Sequence, residues 1–406
     1  MLSSLTIRNF KSIVELSLDL GRFNVLIGEN GCGKTNLLEA LAMAAGAAAD
    51  RLSNEDLFLR GVRVAKPSLM TNAFAGEAAG SEVEIALQFP VPGQVEAGSD
   101  IYRLEARNGA WVNRVDRVVE YLLRDRVQDE EILRKLVELI KDLELLKDEL
   151  AVIVREAFNK AMDDAGHRPK RMARKEQLAA LRSYAIYSAD MLALRGLQVQ
   201  SRHAPMGLFG EGLDVAVAGL SPELRAELVE RARVISWLDD IDIDHEGARR
   251  LAGEKLGRSL SDLYFADRFL AEENRVFSAE NANEGILHVL FHLVLFMHPD
   301  MPRLLAIDNI ETALNPHLLR HLVKSLAQLA KDHDCQALVT THNPAALDGL
   351  NLHDDDQRLF VVYRNDDGHT QARRIRVKRD ESVEGMKLKL SELWMRGMLG
   401  GIPTHF

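Results

Sequence analysis

Apolar residues along this chain follow several different rhythms, and each predicts a different kind of element. From Leu5 to Asp19 apolar and polar positions alternate around Phe10 and Lys11, the period of two paired strands. Phe23 to Ile27 (FNVLI) is a short, mostly apolar run, which predicts a buried strand. Asn36 to Ala49 has the Leu and Ala content of a helix. Residues 50 to 112 mix Gly, Pro and Ala around one strand-like run, Glu82 to Phe89, and read as loops with an antiparallel patch.

The rhythm then changes. From Ile132 the apolar positions Leu136, Leu139, Leu143, Leu146, Leu150, Ile153 and Ala157 recur in alternating steps of three and four, with charged residues between them. This predicts a helix of roughly 40 Å at 1.5 Å per residue. Gly166-His167-Arg168-Pro169 reads as a turn into a second helix beginning near Met172, so the expected unit is a helical hairpin that packs on itself. Helices are predicted at Pro222 to Ser236 and Gly247 to Glu272. Ile286 to Met297 is apolar on every face and fits a buried helix. An α/β alternation then returns: strand Arg303 to Ile307, helix His317 to Lys331, strands Gln336 to Thr340 and Arg358 to Tyr363. The expected domains are 1-112, 113-186, 187-274 and 275-406, with one α/β fold split by the hairpin.

Composition narrows the class. With 47% hydrophobic and 28% charged residues over 406 positions, the chain can bury a large core. Its net charge of −10 argues against indiscriminate wrapping of nucleic acid, leaving room only for a local basic patch. No apolar run reaches membrane-spanning length and the N-terminus carries no signal pattern, so a cytoplasmic protein without a membrane partner is expected. The two cysteines, Cys32 and Cys335, imply no disulfide framework.

The chemistry is concentrated in Gly28-Glu29-Asn30-Gly31-Cys32-Gly33-Lys34-Thr35, which fits the phosphate loop G-x-x-x-x-G-K-[ST] without a mismatch. That pattern arises by chance in roughly one chain of this length in a hundred. Strand, glycine loop and helix occur in the order that brings backbone N–H groups and a helix N-terminus to a triphosphate. Lys34 is expected to reach the terminal phosphates, and Thr35 to ligate Mg2+. A metal-holding acid is expected at the end of a neighbouring strand, and Leu304 to Asp308 supplies Asp308.

With Leu314-Asn315-Pro316 and Thr340-Thr341-His342-Asn343-Pro344 next in order, the chain resembles the ABC-type ATPases, specifically the soluble branch of SMC, RecF and OLD-like proteins. The resemblance covers residues 1 to 49 and about 275 to 350, and includes Ile7-Arg8-Asn9-Phe10-Lys11-Ser12 and GKTNLLEAL. It implies an ABC-type P-loop head interrupted by a helical insertion, with ATP and Mg2+ as cofactors. Asn30 to Thr35 would bind the nucleotide, and Thr35 and Asp308 the metal. It also implies that His342 meets the γ-phosphate, that Asn315 and Pro316 cross a dimer interface, and that Asn283-Glu284-Gly285 is a degenerate signature segment serving the opposite subunit. Asn283 stands there in place of the usual serine, and a plain helix cap is the competing reading.

Asn309 is the most consequential departure, because the family usually places a glutamate after the metal-binding aspartate. An amide cannot accept a proton from the attacking water at neutral pH. Slow hydrolysis is expected, with Glu311 the nearby carboxylate that could substitute. Ile307 to Pro316 and the tail from Leu390 resemble a narrower group, the PtuA family of ATPase subunits in Septu-type anti-phage systems, also found beside retrons. That resemblance implies a homodimer or higher oligomer and a separate HNH-type nuclease as partner, with nucleic acid met directly or through it. The alternative is a RecF-like repair ATPase acting on DNA.

Other constellations carry less. His288 and His292 lack the intervening glutamate of a zinc helix and read as packed residues. Asp240, Asp242 and Asp244 alternate with isoleucines, which predicts a strand with one wet face rather than a calcium loop. Arg168, Lys170, Arg171, Arg174 and Lys175 read as a solvated helix face. The 64 residues after His342 leave little room for a nuclease domain, and none is expected in this chain.

Overall fold

The computed structural model describes residues 1–72, 74, 82–90, 98–107, 110–113, 168–197, 205–244, 259–376 and 389–400. Among these, strands β1 to β14 form three sheets. An antiparallel sheet has the order β2-β1-β4-β5-β6 and contains β1 (Ser4–Phe10), β2 (Ile13–Asp19), β4 (Glu82–Phe89), β5 (Gly98–Arg107) and β6 (Ala110–Asn113). The central sheet has the order β14-β13-β3-β12-β11-β7. Its members are β3 (Phe23–Ile27), β7 (Ile186–Tyr187), β11 (Leu304–Ile307), β12 (Gln336–Thr341), β13 (Gln357–Arg364) and β14 (Thr370–Ile375). All its pairings are parallel except β13 with β14. A three-stranded antiparallel sheet joins β8 (Leu238–Ile243), β9 (Leu263–Asp267) and β10 (Val276–Ser278).

The mostly apolar runs of β3 and β11 are explained by burial on both faces, with Asn24 of β3 buried too and donating to the Gly21 and Ala337 carbonyls. Phe23, Val25, Ile27, Leu305, Ile307, Ala337 and Val339 belong to one hydrophobic core, while Leu26, Leu304, Ala306 and Leu338 belong to the other. The longer helices among the described residues are α1 (Lys34–Ala48), α2 (Arg168–Arg182), α3 (Pro222–Ala232), α4 (Glu284–Met297) and α5 (Pro316–Asp332). Helix α1 and the antiparallel sheet fill the second core, and α3, α4 and α5 fill the first. This is a mixed α/β architecture, and none of its described helices is long and apolar enough to cross a membrane.

Helix α4 is buried at every position from Ile286 to Met297. His288 and His292 therefore sit in apolar surroundings; burial pushes both pKa values down, that of His292 to about 3. The His292 Nδ1 lies 2.6 Å from the His288 carbonyl, so a neutral imidazole donating there fits the site. No cluster of three metal-ligating side chains occurs among the described residues.

Two expectations change. The helix over Gly247 to Glu272 is not formed in its second half: Leu263–Asp267 is strand β9, paired with β8 and β10. Leu263, Tyr264 and Phe265 are buried there, and tertiary pairing overrides a weak helical pattern; residues 245–258 lie outside the described set. Arg174 is also not on a free solvated face. It is ion-paired with Asp100 and its guanidinium lies 5.4 Å from the ring of Phe89, so it docks α2 onto the antiparallel sheet. The heptad seam from Ile132 to Ala157 lies outside the described residues. Asp240, Asp242 and Asp244 fall on or beside β8, where Ile241 and Ile243 point inward.

Candidate functional site

The phosphate loop leaves the end of β3 and turns into α1, and two of its glycines are there for space. A Cβ on Gly28 would fall 2.1 Å from the Val362 carbonyl oxygen. Gly33 has φ +105°, and its Cβ would fall 2.2 Å from Thr370 Oγ1. The N-cap of α1 makes no side-chain bond and its first turn carries no acid, so its leading N–H groups remain available to an anion. Asn30 and Gly31 are exposed at the loop tip, with Arg364 Nε donating to the Gly31 carbonyl at 3.0 Å.

Lys34 is 5% exposed. Its Nζ donates to the carbonyls of Gly28 and Glu29, each at 2.8 Å, and lies 3.2 Å from His342 Nδ1. Burial pushes the ammonium pKa down, while Cys32, Asp308 and Glu311 act in the opposite direction. Burial also raises the pKa of Cys32, whose Sγ is 3.8 Å from Nζ, and keeps it a thiol.

Thr35 Oγ1 donates to Asp308 at 3.1 and 3.2 Å, and Thr340 Oγ1 donates to the same carboxylate at 2.5 Å. Asp308 is set by the edge of the sheet, where its N–H donates to the Tyr187 carbonyl at 2.8 Å. A hydroxyl facing a carboxylate is a hard-oxygen pair that suits Mg2+. A bound ion would supply charge neutralisation for the phosphates.

The turn beyond Asp308 is tight. Asn309 has φ +57° and Ala313 has φ +57°. The Asn309 N–H donates to Thr340 Oγ1 at 2.9 Å, and its carbonyl accepts from Thr312 Oγ1 at 2.9 Å. Glu311 reaches across to the bend that follows β12: its Oε1 accepts the His342 N–H at 2.8 Å, and its Oε2 is buried without a hydrogen-bond partner. Burial first, then the charge of Lys34, lowers the pKa of His342. The neutral ring is thus the form poised beside Lys34.

Asn283, Gly285 and Asn315 form a second, separate group. Asn283 Oδ1 accepts the Ile286 N–H at 3.1 Å and caps α4; Asn315 Oδ1 accepts the Leu318 N–H at 2.9 Å and caps α5. A Cβ on Gly285 would lie 3.7 Å from Leu318 Cδ2 and 4.0 Å from the Ala313 carbonyl oxygen, so these two helix starts adjoin. Lys34, Thr35, Asp308, Glu311 and His342 are joined by contacts of their own, in which Asn283 and Gly285 take no part.

Two supports were not singled out from the sequence. Thr370 on β14 donates to the Cys32 carbonyl at 2.8 Å and meets Ser12 Oγ at 2.7 Å, while Asn36 donates to that same oxygen at 2.7 Å. Glu39, fully buried on α1, is bound by Lys11 and by Arg63, whose Nε is 2.8 Å away. Thr370 carries no local signal, since its partner lies 338 positions away. Glu39 could have been suspected as a lone acid on an otherwise apolar helix.

A parallel sheet with a phosphate loop at one strand end, a hydroxyl-carboxylate pair beside it and a histidine just beyond the end of the next strand defines a P-loop ATPase head. The chain belongs to the family described as "AAA domain, putative AbiEii toxin, Type IV TA system", whose model matches residues 23–348. In fold it is similar to the crystal structure of an SMC head bound to the C-winged helix domain of ScpA, with a TM-score of 0.55 at 13% identity, covering 93% of this chain and 98% of that one. It is also similar to the DNA replication and repair protein RecF of Listeria welshimeri and of Listeria monocytogenes, at 44% identity over 59 residues. That stretch is 14% of this chain and spans only 16% of those relatives' length.

Proposed function

We propose that this chain is an ATP-gated switch subunit, which closes as a homodimer around bound nucleotide, hydrolyses it slowly and controls a separate HNH-type nuclease in a Septu-type anti-phage complex inside the cell. The observation that carries the reading is the contrast within one site. Lys34 lies over the loop carbonyls and Thr35 faces Asp308, an arrangement suited to phosphate and metal, while the neighbouring position holds Asn309. Such a site retains ATP longer than it turns it over.

In this reading Lys34 exchanges its two loop carbonyls for phosphate oxygens, Thr35 and Asp308 hold Mg2+, and His342 follows the γ-phosphate. Glu311 is the carboxylate that accepts the water proton in place of the missing glutamate; its unpartnered Oε2 and its pull on both Lys34 and His342 support that role. Asn283 and Gly285 would complete the site of the opposite subunit. The test is particle mass and thermal shift with and without ATP and Mg2+. Wild type should gain a dimer and several degrees of stability, and Lys34→Ala neither; a Lys34→Ala protein that still responds to ATP and still protects cells against phage sinks the proposal.

A second reading, a RecF-like repair ATPase acting directly on DNA, is favoured by the 44% identity over 59 residues to RecF. An HNH nuclease that co-purifies with the chain supports the first reading, and its absence from the complex supports the second.

A further inference from the structure

Helix α5 leaves the nucleotide site at Asn315 and runs 17 residues, roughly 25 Å, along the surface of the head. Its inward face is Leu318, Leu319, Leu322, Val323, Leu326 and Leu329, all buried in the first core. Beyond Pro316, its exposed positions up to the last turn are His317, Arg320, His321, Lys324, Gln328 and Lys331. They recur in steps of three and four and therefore share one face. Five of the six are basic or imidazole, and no carboxylate stands among them before Asp332, although the chain has 61 acidic residues against 51 basic ones.

These cations leave each other uncompensated. Arg320, Lys324 and Lys331 are in no ion pair among the described residues. The rings of His317 and His321 lie against each other at 4.6 Å, and Arg320 and Lys324 place like charges four residues apart. Like charges at this spacing weaken a helix. A surface that bears such repulsion on an otherwise acidic chain fits a polyanion that relieves it.

We infer that the exposed face of α5 is a binding surface for the sugar-phosphate backbone of nucleic acid. Arg320, Lys324 and Lys331 supply the permanent charge, and His317 and His321 supply further donors. A phosphate backbone suits the row because its charges repeat along an axis, as those of α5 do. It reads no bases from this face, so binding is independent of sequence. The inference goes beyond the ATP switch: it gives that switch an input, because α5 begins at the turn that carries Asp308, Asn309 and Glu311.

The experiment is fluorescence anisotropy of the full chain, without nucleotide, against labelled 30-mers of duplex DNA, single-stranded DNA and RNA across a salt series. Omitting ATP keeps this outcome separate from any failure of the nucleotide reading. Wild type should bind at low salt. The exposed triple variant Arg320→Gln, Lys324→Gln and Lys331→Gln should bind at least tenfold more weakly, with its slope of log affinity against log salt reduced by about 2 to 3 on duplex DNA. A control pair, Arg51→Gln and Arg233→Gln, should change neither, and circular dichroism should show both variants folded. The inference is overturned if wild type binds none of the three probes. It is also overturned if the triple variant keeps wild-type affinity and slope, or if poly-glutamate of equal charge competes as well as nucleic acid.

Discussion

Asn309 has two physical consequences that point in different directions. Its amide removes a proton acceptor from the end of β11, while its φ of +57° is a conformation that Asn tolerates better than Glu. Asn309→Glu should therefore raise ATP turnover at least tenfold and lower stability by about 1 kcal/mol, whereas Asn309→Gly should keep stability and gain no turnover. Steady-state phosphate release and urea unfolding separate the two effects; equal turnover in both variants would return the missing glutamate to a mere backbone preference. His292 gives a pH prediction. Its folded pKa of about 3 lies below the ordinary 6.5, so the unfolded chain takes up the proton first as pH falls. Stability is complete above pH 6.5 and drains between there and about 3, at up to about 1.4 kcal/mol per unit. His292→Leu should flatten that slope in unfolding curves taken at pH 7, 6 and 5. An unchanged slope would mean that the imidazole is not buried neutral.

At the level of elements, the loop and its strand were legible because both are local: Gly28 to Thr35 is contiguous, and the largely apolar β3 and the all-apolar β11 announce burial on two faces. The helix cap read as one alternative at Asn283 is present, and Asn315, read from the resemblance as an interface residue, also caps its helix. What pattern could not deliver is held from far away. Strand β7, two residues long, is specified only by its pairing with β11, and β9 only by its neighbours on both sides. Thr370 belongs to this class, and it matters most for function, because β14 ties down the loop through that one hydroxyl. Thr370→Val keeps the shape and removes two hydrogen bonds, a loss of about 1 to 2 kcal/mol. The expected result is an ATP affinity about tenfold weaker by titration calorimetry, with a Tm lowered by only a few degrees. Wild-type affinity in a folded Thr370→Val protein would show that the loop needs no such tie.

For the whole molecule, the proposed homodimer rests on two residue groups that share no hydrogen bond. In the proposed switch Lys34, Thr35 and Asp308 hold the nucleotide on one head, while the capped start of α4 at Asn283 to Gly285, with Glu284 exposed, makes none of these contacts. Gly285 offers a probe, because a Cβ there meets no atom closer than 3.5 Å, an ordinary van der Waals contact. Gly285→Glu should leave ATP binding by the single head intact, since Lys34 is untouched. It should abolish ATP-dependent dimer mass and hydrolysis, because its carboxylate would oppose the phosphates of the other head. The decisive case is a mixture. If each site takes Lys34 from one head and Gly285 from the other, a heterodimer of Lys34→Ala with Gly285→Glu has one composite site ruined twice and the other intact. Mixing two inactive proteins should therefore restore turnover, up to about half that of wild type, because neither variant pairs with itself and each heterodimer carries one working site of two. A mixture as inactive as its components would place both residues on the same site, and the dimer model would have to be abandoned.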